Sequence, residues 1–459
     1  MQVLSPTDAA PAAASLATRF AEVRAFTERL CDGLQTEDYV VQSSPDVSPT
    51  KWHLAHTTWF WETFVLTPHA DGYRLHDDRY PFLFNSYYVQ AGERHCRAQR
   101  GYLSRPTVAE VLDYRAHVDA AMAEFLADFD EHERPDVADV VEVGLHHEQQ
   151  HQELMLTDLK HVFSVNPLRP AYREGDHAPA LDPGPLGWRS FPAGLHEVGF
   201  EARDGSTSAG RFHFDNEGPR HRQFVEAFEI ADRLVTCGEF LEFMADGGYS
   251  QAPLWLSLGW AERQAQDWTE PFYWERDEAS PTRFSVFTLS GMRPVDVHEP
   301  VCHLSYFEAD AYARWAGLSG LHPGARLPSE AEWEVAARTV WDGDGPAPGP
   351  FADAGRFHPT AAGAAGAPAG GDGAPAAAPP LRQMFGQVWQ WTHSQYSPYP
   401  GYAPLAGALG EYNGKFMANQ FVLRGGSVAT SRSHVRPTYR NFFPPEATWQ
   451  FTGLRLARS

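Results

Sequence analysis

The sequence predicts an α+β protein of more than one domain, a helical bundle followed by a larger mixed region of short strands, short helices and loops. Three observations predict it. Residues 1–165 carry apolar positions at steps of three and four, the period of one buried helix face. From residue 189 the pattern changes to short aromatic or β-branched runs broken by Gly, Pro, Asn and Asp. Between them, residues 166–188 contain Pro167, Pro170, Pro179, Pro183 and Pro185 and read as a linker. With 459 residues the chain is long enough for two or three domains.

Leu16, Phe20, Val23, Phe26, Leu30 and Leu34 form the stripe of a first helix. Ser48 followed by Pro49 has the form of an N-cap with proline at the first helical position, opening a second helix from Thr50 to Leu66. That segment carries Trp52, Trp59, Phe60 and Phe64. A third helix follows Pro106, with Val108, Val111, Leu112, Val118, Met122 and Phe125 on its stripe, and a fourth runs from about Pro135 to Val165. Four such helices predict a four-helix bundle. In the second region, Tyr306 to Ala316 and Ser329 to Arg338 read as helices, whereas residues 342–380, rich in Ala, Gly and Pro, read as a low-complexity, mobile surface insertion.

Composition narrows the function. Hydrophobic residues make up 43% of the chain, with 14 Trp, 17 Tyr and 29 Phe, which suits packed cores and aromatic-walled pockets and excludes a largely disordered or fibrous chain. A net charge of −22, from 37 basic and 59 acidic residues, opposes binding to nucleic acid or an anionic membrane. The cysteines (Cys31, Cys96, Cys237, Cys302) are far apart with no CxxC pair, so neither a disulfide framework nor a zinc ribbon is indicated. With no basic leader and no apolar run approaching about 18 residues, the expected compartment is the cytoplasm.

The chemistry-bearing signal is His146-His147-Glu148-Gln149-Gln150-His151-Gln152-Glu153. Residues four apart share a helix face, so His147 and His151 can offer two imidazoles to one metal ion. Continuing the stripe Val140, Val141, Gly144 places both inside the bundle. Buried imidazoles need partners, and a metal ion would be one; carboxylates or carbonyls would be others. The same residues match the HExxH pattern of zinc peptidases, with Glu148 as general base. Against that, Leu154 and Thr157 stand where the extended motif needs Gly and His, and Glu174 is the nearby carboxylate left to serve as ligand. For a third ligand, Trp52-His53-Leu54-Ala55-His56-Thr57-Thr58-Trp59 offers His56, between the two tryptophans on one face, and His53 at its edge.

On these residues the chain resembles the ergothioneine-biosynthesis sulfoxide synthases, or hercynine oxygenases, which join a DinB-like four-helix bundle to a formylglycine-generating-enzyme-like domain with a C-type-lectin-like fold. The resemblance rests on Ser48–His56, on the His146–Glu153 segment, and on five stretches of the second region. These are Phe214-Asp215-Asn216-Glu217, Val235–Phe240, Arg326–Glu334, Gly386–Thr392 and Leu423-Arg424-Gly425-Gly426-Ser427. It implies domains at 1–165 and 189–459, and an Fe(II) cofactor held by His56, His147 and His151. It further implies oxygen-dependent joining of a thiol sulfur to C2 of the hercynine imidazole. A neutral three-histidine set departs from the two-histidine-one-carboxylate pattern of most non-haem oxygenases, so an incoming thiolate can help neutralise the dication. Glu153, two residues from His151, is expected near the site's periphery or at the surface.

The resemblance also assigns a substrate side. Gln150, Tyr402, Asn441 and Phe442 match positions around hercynine, whose trimethylammonium suits aromatic faces. Phe443 and Ala447 stand where the glutamylcysteine-using branch has Asp and Arg, so the smaller thiol cysteine is expected, its carboxylate held by Arg97 or Arg100 through a charge-assisted fork. Tyr87 or Tyr88 is the expected proton donor, by analogy with the cysteine-using branch; Tyr399 matches the other branch. The remaining readings are a selenoneine-forming relative using a selenosugar, a zinc peptidase, and a non-catalytic metal-binding module. Formylglycine generation lacks its cysteine pair, because no cysteine follows Cys302.

Overall fold

The computed structural model describes residues 14–175, 179–201, 212–363, 380–405 and 407–459. Its N-terminal part is a bundle of α1 (Leu16–Arg29), α2 (Thr50–Trp61), α3 (Val108–Ala127) and α4 (Pro135–Val165). Ser15 caps α1 by accepting the Thr18 N–H. The stripe predicted to Leu34 breaks earlier: Leu30 is the C-cap, and Gly33 turns the chain at φ +86°. α2 continues through a π-helical turn, Glu62–Leu66, into Thr67–His69. Every residue of α2 is buried, so it has no solvent-exposed face. Thr107 and Glu110 close a capping box at the start of α3.

The predicted Ser48 cap is not formed. Pro49 occupies the cap position and makes no side-chain bond to the helix. Ser48 is used elsewhere: its hydroxyl accepts from Arg100 Nη1 at 2.9 Å, and its N–H donates to Asp158 Oδ2 at 2.8 Å.

The second region is mixed α/β. One sheet orders β1 (Trp188–Phe191), β4 (Phe228–Ala231) and β12 (Ala457–Arg458), so the chain's last strand pairs with β4 at the sheet's centre. A second orders β10 (Asn441–Phe443), β9 (Phe421–Arg424), β8 (Trp389–Gln395) and β11 (Thr452–Gly453). β2 (Gly194–Val198) pairs with β3 (His221–Val225), and β5 (Trp274–Asp277), β6 (Ser280–Thr288) and β7 (Gly291–Pro294) form a meander. The helices are α5 (Cys237–Ala245), α6 (Ser257–Ala265), α7 (Tyr306–Leu318) and α8 (Glu330–Ala337). α5 and α6 are additional to the predicted helices; Thr236 and Glu239 form the same capping box that opens α7 (Ser305, Glu308) and α8 (Ser329, Glu332).

One continuous apolar core contains Trp59 and Met155 from the bundle together with Trp389 and Phe451 from the mixed region. The proline-rich stretch packs rather than hangs free, since Tyr172 is buried and its hydroxyl donates to Leu30 O at 2.5 Å. Residues 364–379 of the expected insertion lie outside the described residues; nearer its start, Phe351 and Phe357 are buried. All four cysteines are free thiols. Among the described residues no helix is long and apolar enough to cross a membrane.

Close approach of α2 and α4 is set by Gly144. A Cβ there would lie 2.5 Å from Trp61 Cη2 and 3.0 Å from the Phe60 ring. Gly144→Ala should therefore force the two helices apart and cost about 1–3 kcal/mol, as overpacking does. Urea unfolding should show the loss as a lowered midpoint.

Candidate metal centre

The helix crossing brings His56 from α2 against His147 and His151 from α4. One nitrogen of each lies within 4.8 Å of those of the other two, and all three rings are buried. His56 is clamped between indoles, stacked on Trp52 at 4.6 Å and 13° and on Trp59 at 5.4 Å and 15°. Phe60 stacks on His147 at 4.6 Å. Leaving water pushes all three imidazoles far below the ordinary histidine range, His147 to about 3, so they are neutral at neutral pH.

Hydrogen bonds select the nitrogens. His56 Nδ1 lies 2.5 Å from Phe84 O, which can only accept, so the proton sits on Nδ1 and the Nε2 lone pair faces inward. His56 Nε2 is 3.1 Å from His147 Nε2, and His147 Nδ1 has no partner. Two lone pairs at that spacing suit one shared cation, with metal–nitrogen bonds of about 2 Å. His53 is not in this group. Both its nitrogens are committed, Nε2 to Asp158 Oδ2 at 2.9 Å and Nδ1 to His151 Nδ1 at 2.9 Å. The donor set thus fits a borderline divalent metal.

The rest of the motif on α4 radiates in every direction, each side chain matched to a partner. Glu148 points away from the imidazoles and accepts from Arg24, Arg115, Thr27 and Trp61. Its carboxyl is held well below the ordinary range, against the opposing effect of burial, by the two guanidiniums and the bonds they accompany. It cannot serve as a general base at the three-histidine centre, and Glu174 is exposed and lies outside the histidine cluster, so among the described residues the peptidase arrangement is absent. Glu153, expected near the periphery, is buried. It accepts from Trp389 Nε1 at 2.8 Å, Ser427 Oγ at 2.5 Å and Thr430 Oγ1 at 2.7 Å, tying α4 to the mixed domain. Gln149 donates to Ser433, Gln152 accepts from Ser431, and His146 Nδ1 meets His434 Nδ1 at 2.8 Å.

The other candidates divide by position. Arg100 is buried with its guanidinium 3.2 Å above the Trp52 ring, bonded to Ser48 and Ser86, its Nε unpartnered. Burial lowers its pKa, and no carboxylate lies within ion-pair distance among the described residues. Arg97 is exposed and bonded to Asp46 O. Gln150 donates to Tyr439 at 2.7 Å, and Tyr412 donates to its carbonyl. Tyr87 stacks on Tyr88 at 4.6 Å; Tyr88 is fully buried, lies 5.6 Å from Trp59, and its hydroxyl has no partner. Tyr402 donates to Asp215 at 3.1 Å. Phe442 stacks on Tyr396 and continues through Phe416 to Tyr87. Asn441 accepts from Phe442 N, Phe443 packs on Trp449, and Ala447 is buried. Tyr399 bonds Glu330 in the mixed domain.

Sequence reasoning missed Tyr412, whose ring lies 5.9 Å from His147, and the His434–Tyr439 pair, linked at 3.0 Å. None of these carries a local motif that pairing with α4 would announce.

Residues 192–459 match the sulfatase-modifying factor enzyme 1-like domain, and residues 19–155 match the DinB superfamily. A hercynine oxygenase of Mycobacterium tuberculosis is 35% identical over 460 residues, covering 96% of this chain and 98% of that protein. The chain belongs to the hercynine oxygenase family. A second hercynine oxygenase, from Mycolicibacterium thermoresistibile, is 34% identical over 98% of this chain and 96% of its own length. A formylglycine-generating enzyme of Mycobacterium tuberculosis is 32% identical over 43% of this chain and 72% of that protein. This family member thus combines its two domain types around α4, whose polar residues face both.

Burial of neutral histidines fixes the sign of an acid response. His146 and His358 are both lowered to about 4, burial being the largest cause. As pH falls through 6.5 the unfolded chain takes up protons that the folded one refuses. Stability should therefore fall as pH drops from about 6.5 to 4 and keep falling below, because His147 refuses its proton down to about 3 and the Glu148 carboxyl stays ionised after its unfolded counterpart is protonated. Urea melts across this range should show the decline, and His146→Gln should reduce the slope by about one proton.

Proposed function

We propose that this protein is an iron(II)- and oxygen-dependent sulfoxide synthase that joins the sulfur of cysteine to C2 of the hercynine imidazole. The observation that carries this reading is an unbalanced charge. Three neutral imidazoles are grouped beside a buried Arg100 guanidinium, and neither the ligand set nor Arg100 has a carboxylate in direct contact. A metal dication and a buried cation both call for an anionic ligand, and cysteine offers a thiolate and a carboxylate a few bonds apart.

Held by His56, His147 and His151, ferrous iron supplies one-electron chemistry with dioxygen and a position for sulfur. The overall change balances: a thiol and an imidazole C–H react with one O2 to give the C–S bond, the sulfoxide oxygen and one water. Arg100 orients the cysteine carboxylate through guanidinium N–H groups that its serine bonds leave free. Phe443 and Ala447, at the positions where the glutamylcysteine-using branch has Asp and Arg, carry no charge, which favours cysteine over glutamylcysteine.

The aromatic run Tyr396, Phe442, Phe416 and Tyr87 provides faces for a trimethylammonium, worth about 0.5–2 kcal/mol per contact. Asp215, bonded to Tyr402 and Asn413, adds negative charge beside it. Gln150 retains one amide N–H for the imidazole or carboxylate of hercynine, with Asn441 near the same wall. Tyr88 holds its proton, because burial raises its pKa well above the ordinary value, and its free hydroxyl can deliver that proton to reduced oxygen.

Anaerobic reconstitution with Fe(II), followed by mass spectrometry of hercynine incubated in air with cysteine, glutamylcysteine or a selenosugar, tests the reading. The cysteine sulfoxide is the expected product; a selenium adduct alone would move the activity to selenoneine formation. Arg100→Gln should raise KM for cysteine at least about tenfold, the loss of a charge-assisted fork, while KM for hercynine stays within about twofold. An unchanged cysteine KM would remove Arg100 from the thiol site.

A further inference from the structure

The three grouped imidazoles differ in what holds the nitrogen facing away from the centre. His56 is fixed by a backbone carbonyl, and His147 Nδ1 has no partner. His151 is fixed by a side-chain chain of two residues. His53 Nδ1 lies 2.9 Å from His151 Nδ1, and His53 Nε2 lies 2.9 Å from Asp158 Oδ2. All three side chains are buried, and the same carboxylate oxygen accepts the Ser48 N–H at 2.8 Å.

The order of protons along this chain follows from its end. A carboxylate only accepts, so His53 carries its proton on Nε2 and, being neutral, presents a lone pair at Nδ1. His151 Nδ1 must then donate, which leaves the His151 lone pair on Nε2. We propose that His53 and Asp158 are positioning residues that fix the tautomer and ring orientation of His151 so that Nε2 is its ligand atom. Asp158 makes no Lys or Arg ion pair among the described residues. Its charge is directed instead through one imidazole onto a ligand, which raises that ligand's basicity in a centre whose own donors are all neutral. The pair thus supplies at one remove the carboxylate influence that a ligand carboxylate would give directly.

This inference rests on the reading that the three imidazoles hold a metal, and the experiment separates the two. Co(II) affinity of the full chain is measured by chelator competition for the wild type and for His56→Ala, His53→Ala, Asp158→Asn and Leu54→Ala. The ligand-field spectrum of each Co(II) form and thermal melting of each metal-free form are recorded alongside. His53→Ala is expected to bind about 10–100-fold more weakly, the usual effect of removing an outer-shell partner, with a shifted spectrum. Added imidazole, filling the space left by the ring, is expected to restore most of the affinity.

Asp158→Asn preserves shape and an acceptor oxygen, so it tests the charge even if the alanine variant folds poorly; a smaller loss in the same direction is expected. Leu54→Ala, on the same buried helix but off the chain, is expected to leave affinity within about twofold. Wild-type affinity and spectrum in both His53→Ala and Asp158→Asn would overturn the positioning role while leaving the metal centre intact. Equal weakening by Leu54→Ala, without imidazole rescue of His53→Ala, would overturn it as well. A wild-type chain that binds no Co(II), or His56→Ala binding as tightly as wild type, would overturn the metal reading and this inference with it.

Discussion

Burying four nitrogen-bearing groups, His56, His147, His151 and Arg100, without giving them a carboxylate in direct contact is the constraint from which the centre's properties follow. Acidic side chains are present nearby, but each is engaged. Glu148 neutralises Arg24 and Arg115, Glu153 receives three donors from the mixed domain, and Asp158 stands behind His53. In a low-dielectric interior an unpaired charge is costly, so the imidazoles stay neutral and the guanidinium remains a standing demand for an anion. Under the proposed function, preference for an anionic ligand would arise from what has been diverted away from the centre as much as from what has been placed in it.

α4 makes that diversion possible. Eight consecutive polar residues on a buried helix would ordinarily be untenable, and they are tolerated because each has a partner. His147 and His151 face α2; Glu148 and Gln152 face α1, with Arg115 reaching Glu148 from α3. His146, Gln149, Gln150 and Glu153 face the mixed domain. The helix is therefore the common core of both domains rather than a wall of one. Ser427 and Trp389, in the stretches that carry the family resemblance, meet it directly, as does Thr430 just beyond them.

This arrangement explains what could be read beforehand. The pairing of His147 with His151 was legible because a four-residue step on one helix fixes relative direction without tertiary information. The choice between His53 and His56 was not, since α2 is buried on all sides and its periodicity cannot distinguish a ligand face from any other; the neighbouring indoles, visible in sequence, were the better guide. Glu153 was misplaced because facing away from the histidines implied periphery, whereas away meant into the second domain. Arg97 and Arg100 could not be separated by local pattern, and only the fold shows that one meets solvent and the other Trp52. In the fold, α1, α3 and α4 were legible through long stripes. The start of α5 was written in the Thr236 and Glu239 capping-box spacing, whereas Ser48 lies one residue before the cap position that Pro49 takes.

Docking also completes the outer half of the site. The segment bearing Tyr87 and Tyr88 belongs to the bundle, yet the backbone around it is held from the other domain. Glu411 accepts the N–H groups of Val89 at 3.0 Å and Gln90 at 2.8 Å, and Lys415 donates to Tyr87 O. Tyr412, between these two residues, contributes its ring beside His147 and its hydroxyl to Gln150. A single six-residue stretch, Glu411 to Phe416, thus fixes the tyrosine loop, orients the glutamine amide and closes the aromatic wall. An isolated bundle would retain the three imidazoles but lose the partners of Gln150, Glu153 and the tyrosine loop. The three imidazoles thus belong to the first domain alone, whereas under the proposed function a substrate held in register with them would need both.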